Sequence, residues 1–195
     1  FGAKVVFGDR DEIGGRETAR LCQDLPGRVL FCEVDFSVPD AWSQMLEVCQ
    51  NAGWTPTLGV SNVYFSRKMS TVETSLETYT EVEAVNQRSG FLMAQTLAPA
   101  MGAVGGSLIF IGSIMSDFGT PNYALYSMTK SALLGLTRSL AAELAPNRIT
   151  VNCIQPGAIT LAPPREFRSI VPPELWTAFF HEFREEIEAV YEKFQ

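Results

Sequence analysis

Apolar and polar positions change period several times along the chain, and each change marks an expected element. A short apolar run from Lys4 to Gly8, closed by Asp9, predicts a strand. Ile13, Thr18, Leu21, Cys22 and Leu25 then recur at helical spacing, predicting a helix over Glu12 to Leu25 that Pro26-Gly27 stops. Arg28 to Val34 predicts a second strand ending in Asp35. Pro39-Asp40 opens a helix to about Asn51 with Trp42, Met45, Leu46 and Cys49 on one side, and Gly53 caps it. A weaker strand at Thr57 to Ser61 precedes Asn62. From Ser75 to Met101, the residues Leu76, Tyr79, Val82, Val85, Phe91, Leu92 and Leu97 predict one long helix whose periodic face is mostly core, with Asn86 inside it. Ser107 to Ser113 reads as a buried strand. A helix from about Tyr123 to Ala145, a strand from Arg148 to Ile154 and a turn at Pro156-Gly157 complete the series.

Strand and helix alternate throughout, and crossovers of this length join parallel neighbours, so the expected fold is α/β, a doubly wound parallel sheet. The tail has a different character. From Pro173 to Phe194, Leu175, Phe179, Phe183, Ile187, Tyr191 and Phe194 recur every three or four positions opposite Glu182, Glu185, Glu186 and Glu188, predicting an amphipathic helix whose apolar face needs a partner.

Composition narrows the function classes. With 195 residues, 46% of them hydrophobic, the chain can bury a sizeable core, and its length favours one domain. A formal charge of −7 without any basic cluster argues against nucleic acid. Cys22, Cys32, Cys49 and Cys153 show no Cys-x-x-Cys spacing and His181 is the sole histidine, so a zinc site is not expected; reduced, mostly buried thiols are. No apolar run reaches the length of a membrane span and no signal-peptide layout opens the chain, which makes a cytoplasmic setting the default expectation.

The chemistry concentrates in one stretch. A buried parallel strand would deliver the Ser113 hydroxyl to its carboxyl end, where open α/β sheets bind their ligands. Tyr126 and Lys130 stand one helical turn apart on a shared face, so an ammonium can act on a phenol. A phenol's ordinary pKa is about 10; a nearby Lys⁺ would favour the phenolate and bring Tyr126 towards the range of a working acid or base. Ser113 would hold the same substrate oxygen, and Asn86 could fix a water that connects Lys130 to solvent. Each of these residues also has an ordinary structural reading: a chance helical pair, a helix cap, a satisfied polar residue.

The joint order, Asn86, Gly112-Ser113, Tyr126-x-x-x-Lys130 and Val151-Asn-Cys-Ile-Gln-Pro-Gly157, resembles the short-chain dehydrogenase/reductase family in content and spacing. Asp9-Arg-Asp-Glu-Ile-Gly-Gly15 with Leu25-Pro-Gly-Arg-Val29 also resembles, less specifically, the 17-beta-hydroxysteroid dehydrogenases of type 14. The resemblance covers about residues 1–162 and implies a Rossmann-like dinucleotide-binding and catalytic domain, with 163–195 as the substrate-side loop and helix of the same domain. It implies Tyr126 as acid/base, Lys130 as its modulator and ribose ligand, Ser113 as substrate-oxygen holder and Asn86 as water holder. Asp9 would receive the adenosine ribose hydroxyls and repel a 2′-phosphate, favouring NAD over NADP. Asp35 would lie beside the adenine, Asn62 near the cofactor, and Pro156, Gly157, Ile159 and Thr160 at the nicotinamide. The implied substrate is a small alcohol or ketone, steroid-like by the nearer resemblance, and the implied assembly is a homo-oligomer.

Four departures from the family pattern accompany these matches. The family's first strand and its Thr-Gly-x-x-x-Gly-x-Gly loop would precede Phe1, so the chain is expected to be a piece of something longer. Ser61-Asn62-Val63-Tyr64 stands where the family has Asn-Asn-Ala-Gly, which puts Tyr64 in place of a glycine. Thr160 follows Pro156 by four residues where the family uses five. The family's last strand and closing glycines do not follow. Two other readings stay open: a non-catalytic member that keeps the four residues but binds no cofactor, and an epimerase or dehydratase sharing Tyr-x-x-x-Lys.

Overall fold

In the computed structural model, residues 2–157 are described, and they form five parallel strands and five helices in alternation. The strands are β1 (Lys4–Asp9), β2 (Arg28–Glu33), β3 (Leu58–Ser61), β4 (Gly106–Ile111) and β5 (Ile149–Ile154). The helices are α1 (Glu12–Leu21), α2 (Ala41–Asn51), α3 (Leu76–Glu83), α4 (Ser89–Met101) and α5 (Ala124–Leu144). Every strand and helix expected up to β5 is present, with ends within four residues of those expected. The largest change is at α1, which stops at Leu21 because Cys22 to Leu25 turn on themselves: Gln23 N–H donates to Arg20 O and Leu25 N–H to Cys22 O. At its start, Asp11 Oδ1 accepts from Gly14 N at 3.0 Å, satisfying one orphan donor of the first turn.

Backbone pairing falls into two pieces, β1-β2 and β3-β4-β5, and β1 does not pair with β3. Within each piece the register is fixed by which face is apolar. Phe7 lies opposite Phe31, their rings 5.3 Å apart, on the face where α1 packs; Gly15 sits against the Phe31 ring with no room for a Cβ. Val6 and Cys32 point to the other face, where they join Val34, Met45 and the main core. In the second piece Leu108 and Phe110 are fully buried against α4 and α5, together with Met93, Leu97 and Leu133. Leu58 and Val60 of β3, whose side chains point the opposite way, are 55% and 43% exposed.

Side chains on α2 and α4 tie the two pieces together. Trp42 Nε1 donates to the buried Ser89 Oγ at 3.0 Å, and Arg88 reaches the Ser37 carbonyl at 3.0 Å. The long helix expected from Ser75 to Met101 is a composite. Ser75 Oγ caps α3 by accepting from Thr78 N at 3.1 Å, and a π turn over Ala84–Arg88 then joins α3 to α4, the Ser89 N–H reaching back to Ala84 O. Asn86 lies in that turn. Among the described residues no helix is long and apolar enough to cross a membrane. The expected helix at Pro173 to Phe194, His181 and the 162/163 boundary lie outside the described residues. All four cysteines are unpaired, and each is half-buried rather than mostly buried, Cys32 and Cys153 packing against the edge of the main core.

Candidate active site

Ser113 follows β4, whose Leu108 and Phe110 anchor it in the core, and it is itself buried. It caps the short turn Ile114–Ser116: its hydroxyl oxygen accepts from Met115 N at 3.1 Å. Ser113 lies near enough to Tyr126 for its hydroxyl to draw the phenol's pKa down, so the two residues come together as expected. Tyr126 lies in the first turn of α5, which starts after the left-handed Asn122 (φ 66°) that Met69 N–H pins through its carbonyl at 2.9 Å. The Tyr123 ring packs edge-on against Tyr126, 6.4 Å between centroids.

Lys130 does come to Tyr126, yet its electrostatic part differs from the expectation. Its ammonium sits over the Tyr126 ring, 5.9 Å from the centroid, and donates to Ile111 O at 2.7 Å. The phenol's pKa is pushed up by burial; the Ser113 hydroxyl pulls it back, and Tyr64 and Tyr123 push it further up. Ser113 is the neighbour that draws the phenol's pKa down against burial. Lys130 is 2% exposed, and burial brings its pKa down from 10.5 to about 8.

That depression has a consequence for stability. Below about pH 8 Lys130 is protonated both folded and unfolded, and the folded chain bears the full cost of burying the charge. Between about pH 8 and 10.5 the unfolded chain holds a proton that the folded chain has released, so this group's contribution rises with pH. At neutral pH the cost is about 3 kcal/mol. Replacing Lys130 by Met removes it but orphans the Ile111 carbonyl, at about 1–3 kcal/mol. Urea unfolding should show K130M as stable as the wild type or up to about 2 kcal/mol more so at pH 7, with the difference shrinking as pH rises from 8 to 10.5.

Asn86 is buried, and its side chain is committed. Its Oδ1 accepts from Phe65 N at 2.6 Å, while Nδ2 donates to Phe65 O at 2.8 Å and to Thr129 Oγ1 at 3.2 Å. Thr129 in turn donates to Tyr126 O at 2.9 Å. Asn86 thus staples the loop after β3 to the helix that carries Tyr126 and Lys130. Both amide hydrogens are spent, so a water held here would bond the second lone pair of Oδ1 or a backbone carbonyl of the π turn. Thr129, fully buried between Asn86 and Tyr126, joins this arrangement without any periodic signal in the chain to point to it. So does Gln155, bonding Ser113 O and Asp117.

The remaining expected positions gather on the carboxyl edge of the strands. Asp9 ends β1 and is exposed; its Oδ1 accepts from Asp11 N at 3.0 Å, and no bond to Oδ2 is made among the described residues. Asp35, just past β2, accepts from Ser37 N at 2.8 Å, and this bond, with Arg10 nearby, holds its carboxyl below the usual range. Asn62 and Tyr64 follow β3, both exposed, and Tyr64 is close enough to act electrostatically on Tyr126. Pro156 and Gly157 follow β5, Pro156 O accepting from Ile114 N at 3.1 Å. Ile159 and Thr160 lie outside the described residues.

Known proteins agree with this layout. A family model described as enoyl-(acyl carrier protein) reductase matches residues 1–169. An uncharacterised oxidoreductase of Thermotoga maritima is 34% identical over 157 residues, 80% of this chain and 62% of the relative, so the chain spans less than two thirds of that protein. Among solved structures, a 7α-hydroxysteroid dehydrogenase complexed with NADH and 7-oxo glycochenodeoxycholic acid superposes with a TM-score of 0.77 at 25% identity, covering 89% of this chain and 67% of the other. A metagenomic short-chain oxidoreductase in complex with NADP superposes at 0.75 and 27% identity, covering 81% and 71%. With the buried Ser113–Tyr126 contact, Lys130 on the next turn and a parallel sheet ending beneath them, the chain belongs to the short-chain dehydrogenase/reductase family.

Proposed function

We propose that the protein of which these residues form part is an NAD(H)-dependent oxidoreductase acting on a secondary alcohol or ketone. The observation that carries this reading is the buried Lys130 over the Tyr126 ring, 5.9 Å from its centroid, with the buried Ser113 at the end of the adjoining strand. When bound, the nicotinamide supplies or accepts the hydride. Tyr126 gives its phenolic proton to the carbonyl oxygen in reduction and takes it from the alcohol in oxidation. Ser113 holds that oxygen beside Tyr126, and Lys130 keeps a positive charge against the ring while it acts. Asn86 and Thr129 fix the helix that presents both.

The residues at the strand ends suit a dinucleotide. Asp9 carries an unused carboxylate oxygen and Asp35 stays ionised, two acceptors on one edge for ribose hydroxyls and adenine. The Asp9 carboxylate would oppose a 2′-phosphate, which favours NAD over NADP. The steroid-like substrate is an extension from the ligand in one structural neighbour's description. A cytoplasmic setting and a homo-oligomeric state belong to the same proposal; four unpaired cysteines suit a reducing compartment.

Calorimetric titration with NADH and NADPH tests the cofactor claim directly. Binding of NADH, at least about tenfold tighter than NADPH, is expected, the margin being one charge repulsion of about 1.4 kcal/mol. No heat at millimolar NADH would overturn the reading for this chain.

A further inference from the structure

The segment from Phe65 to Met69 is tied at both ends to the helix that carries Tyr126. At one end Asn86 bonds the Phe65 N–H and carbonyl at 2.6 and 2.8 Å and reaches Thr129 Oγ1 at 3.2 Å. Thr129 in turn donates to Tyr126 O. At the other end Met69 N–H donates at 2.9 Å to the carbonyl of Asn122, which stands just before α5. Arg67 lies midway between the two ties, so it belongs to a segment held alongside the start of α5.

The Arg67 guanidinium lies over the Phe65 ring, 5.3 Å from its centroid. The residue whose backbone Asn86 holds therefore also places the charge. A guanidinium on an aromatic face keeps its N–H fork available at the edge. Among the described residues no acceptor bonds that fork: the Glu81 carboxylate of α3 stands 4.0 Å away, the limit of an ion pair and beyond hydrogen-bond reach. Both side chains are open to water, Arg67 at 56% and Glu81 at 40%, so a ligand can reach the fork. A planar pair of donors, placed by a fixed ring and without a matched acceptor, has the geometry that a carboxylate fits.

We propose that Arg67 is a specificity-determining residue that binds a carboxylate on the substrate, so that the preferred alcohol or ketone is an anionic one. The inference rests on the oxidoreductase reading given above, and it adds a charge preference to it. A merely structural Arg67 would treat an acid and its neutral ester alike. Glu81 competes with the ligand for the same fork, so its removal should favour the acid.

The test uses 4-oxocyclohexanecarboxylate and its methyl ester, two ketones that differ by one charge. Binding to the 195-residue chain is followed without cofactor by chemical-shift titration, and turnover with NADH by absorbance. The acid should bind about fivefold tighter than the ester, the worth of one partly exposed charged pair, and the margin should shrink as salt is raised. Arg67→Gln should weaken the acid until the margin is gone. Glu81→Gln, the second variant, leaves the fork in place and should widen the margin. In turnover the Arg67→Gln loss should fall on KM for the acid rather than on kcat, the pattern of lost uniform binding. A wild type that does not prefer the acid overturns the proposal, as does a margin that survives in Arg67→Gln or narrows in Glu81→Gln. An acid that binds as stated but is not turned over with NADH overturns the oxidoreductase reading alone; turnover of both ketones without a charge preference overturns this proposal alone.

Discussion

Tyr126→Phe is expected to lower the turnover of NADH with a cyclic ketone by about 10²- to 10⁴-fold, or about 3–5 kcal/mol in the barrier. The substitution removes one oxygen and leaves the ring, so the edge-on Tyr123 contact and the position of Lys130 over the ring are retained. Stability should fall by no more than about 1 kcal/mol, the ordinary worth of one hydrogen bond. NADH affinity should stay within about threefold, because the hydroxyl acts on the substrate's oxygen and a proton-transfer group contributes chiefly in the transition state. Absorbance of NADH during turnover, with calorimetry for binding, separates the two quantities. Turnover within a factor of ten of the wild type would remove Tyr126 from the chemistry.

The second large effect is on stability. Phe110→Ala should cost about 3–5 kcal/mol in urea unfolding, seen as a lower midpoint with an unchanged slope. Phe110 is fully buried, its ring near Gly90 just past the π turn, where Leu133 of α5 also packs. The strand that carries it leads directly to Gly112 and Ser113, so a cavity there loosens the base of the site as well as the core. Leu58→Ala is the matching control on the opposite face of the sheet, where the side chain is 55% exposed; its cost should stay below about 1 kcal/mol. Equal costs at the two positions would mean that the exposed face is covered by something further.

What could be read in advance follows from which physical terms leave a periodic trace. Tyr126 and Lys130 are legible as neighbours because four residues in a helix are one turn. Ser113 is legible because an apolar run ending in Gly-Ser is a strand with its polar residue at the exit. The parallel pairing of β3, β4 and β5 follows from crossovers of this length. Charge effects leave no such trace. The expected lowering of the Tyr126 pKa by Lys130 assumed an ammonium near the hydroxyl, whereas the Ile111 carbonyl draws it to the ring, and burial dominates both groups. The π turn was equally invisible, since one extra residue in a long helix shifts the apolar stripe by less than its width. Asn86 was read as a lone amide in a helix; only the folded chain shows its partner, Phe65, to be 21 residues away. Long-range partners of single polar residues, Gln155 with Asp117 among them, have no sequence period at all.

The break between β1 and β3 reaches into how the molecule holds together as a cooperative body. A continuous sheet passes strain and order from strand to strand through its backbone ladder. Among the described residues no ladder crosses from Asp9 and its neighbours to the strands beneath Tyr126; contacts such as the Trp42 indole on Ser89 and the Arg88 side chain on the Ser37 carbonyl make the link. Asp9 and Asp35 therefore stand on one laddered piece and Ser113 and Tyr126 on the other, and side-chain contacts such as Trp42 on Ser89 help set the spacing between them.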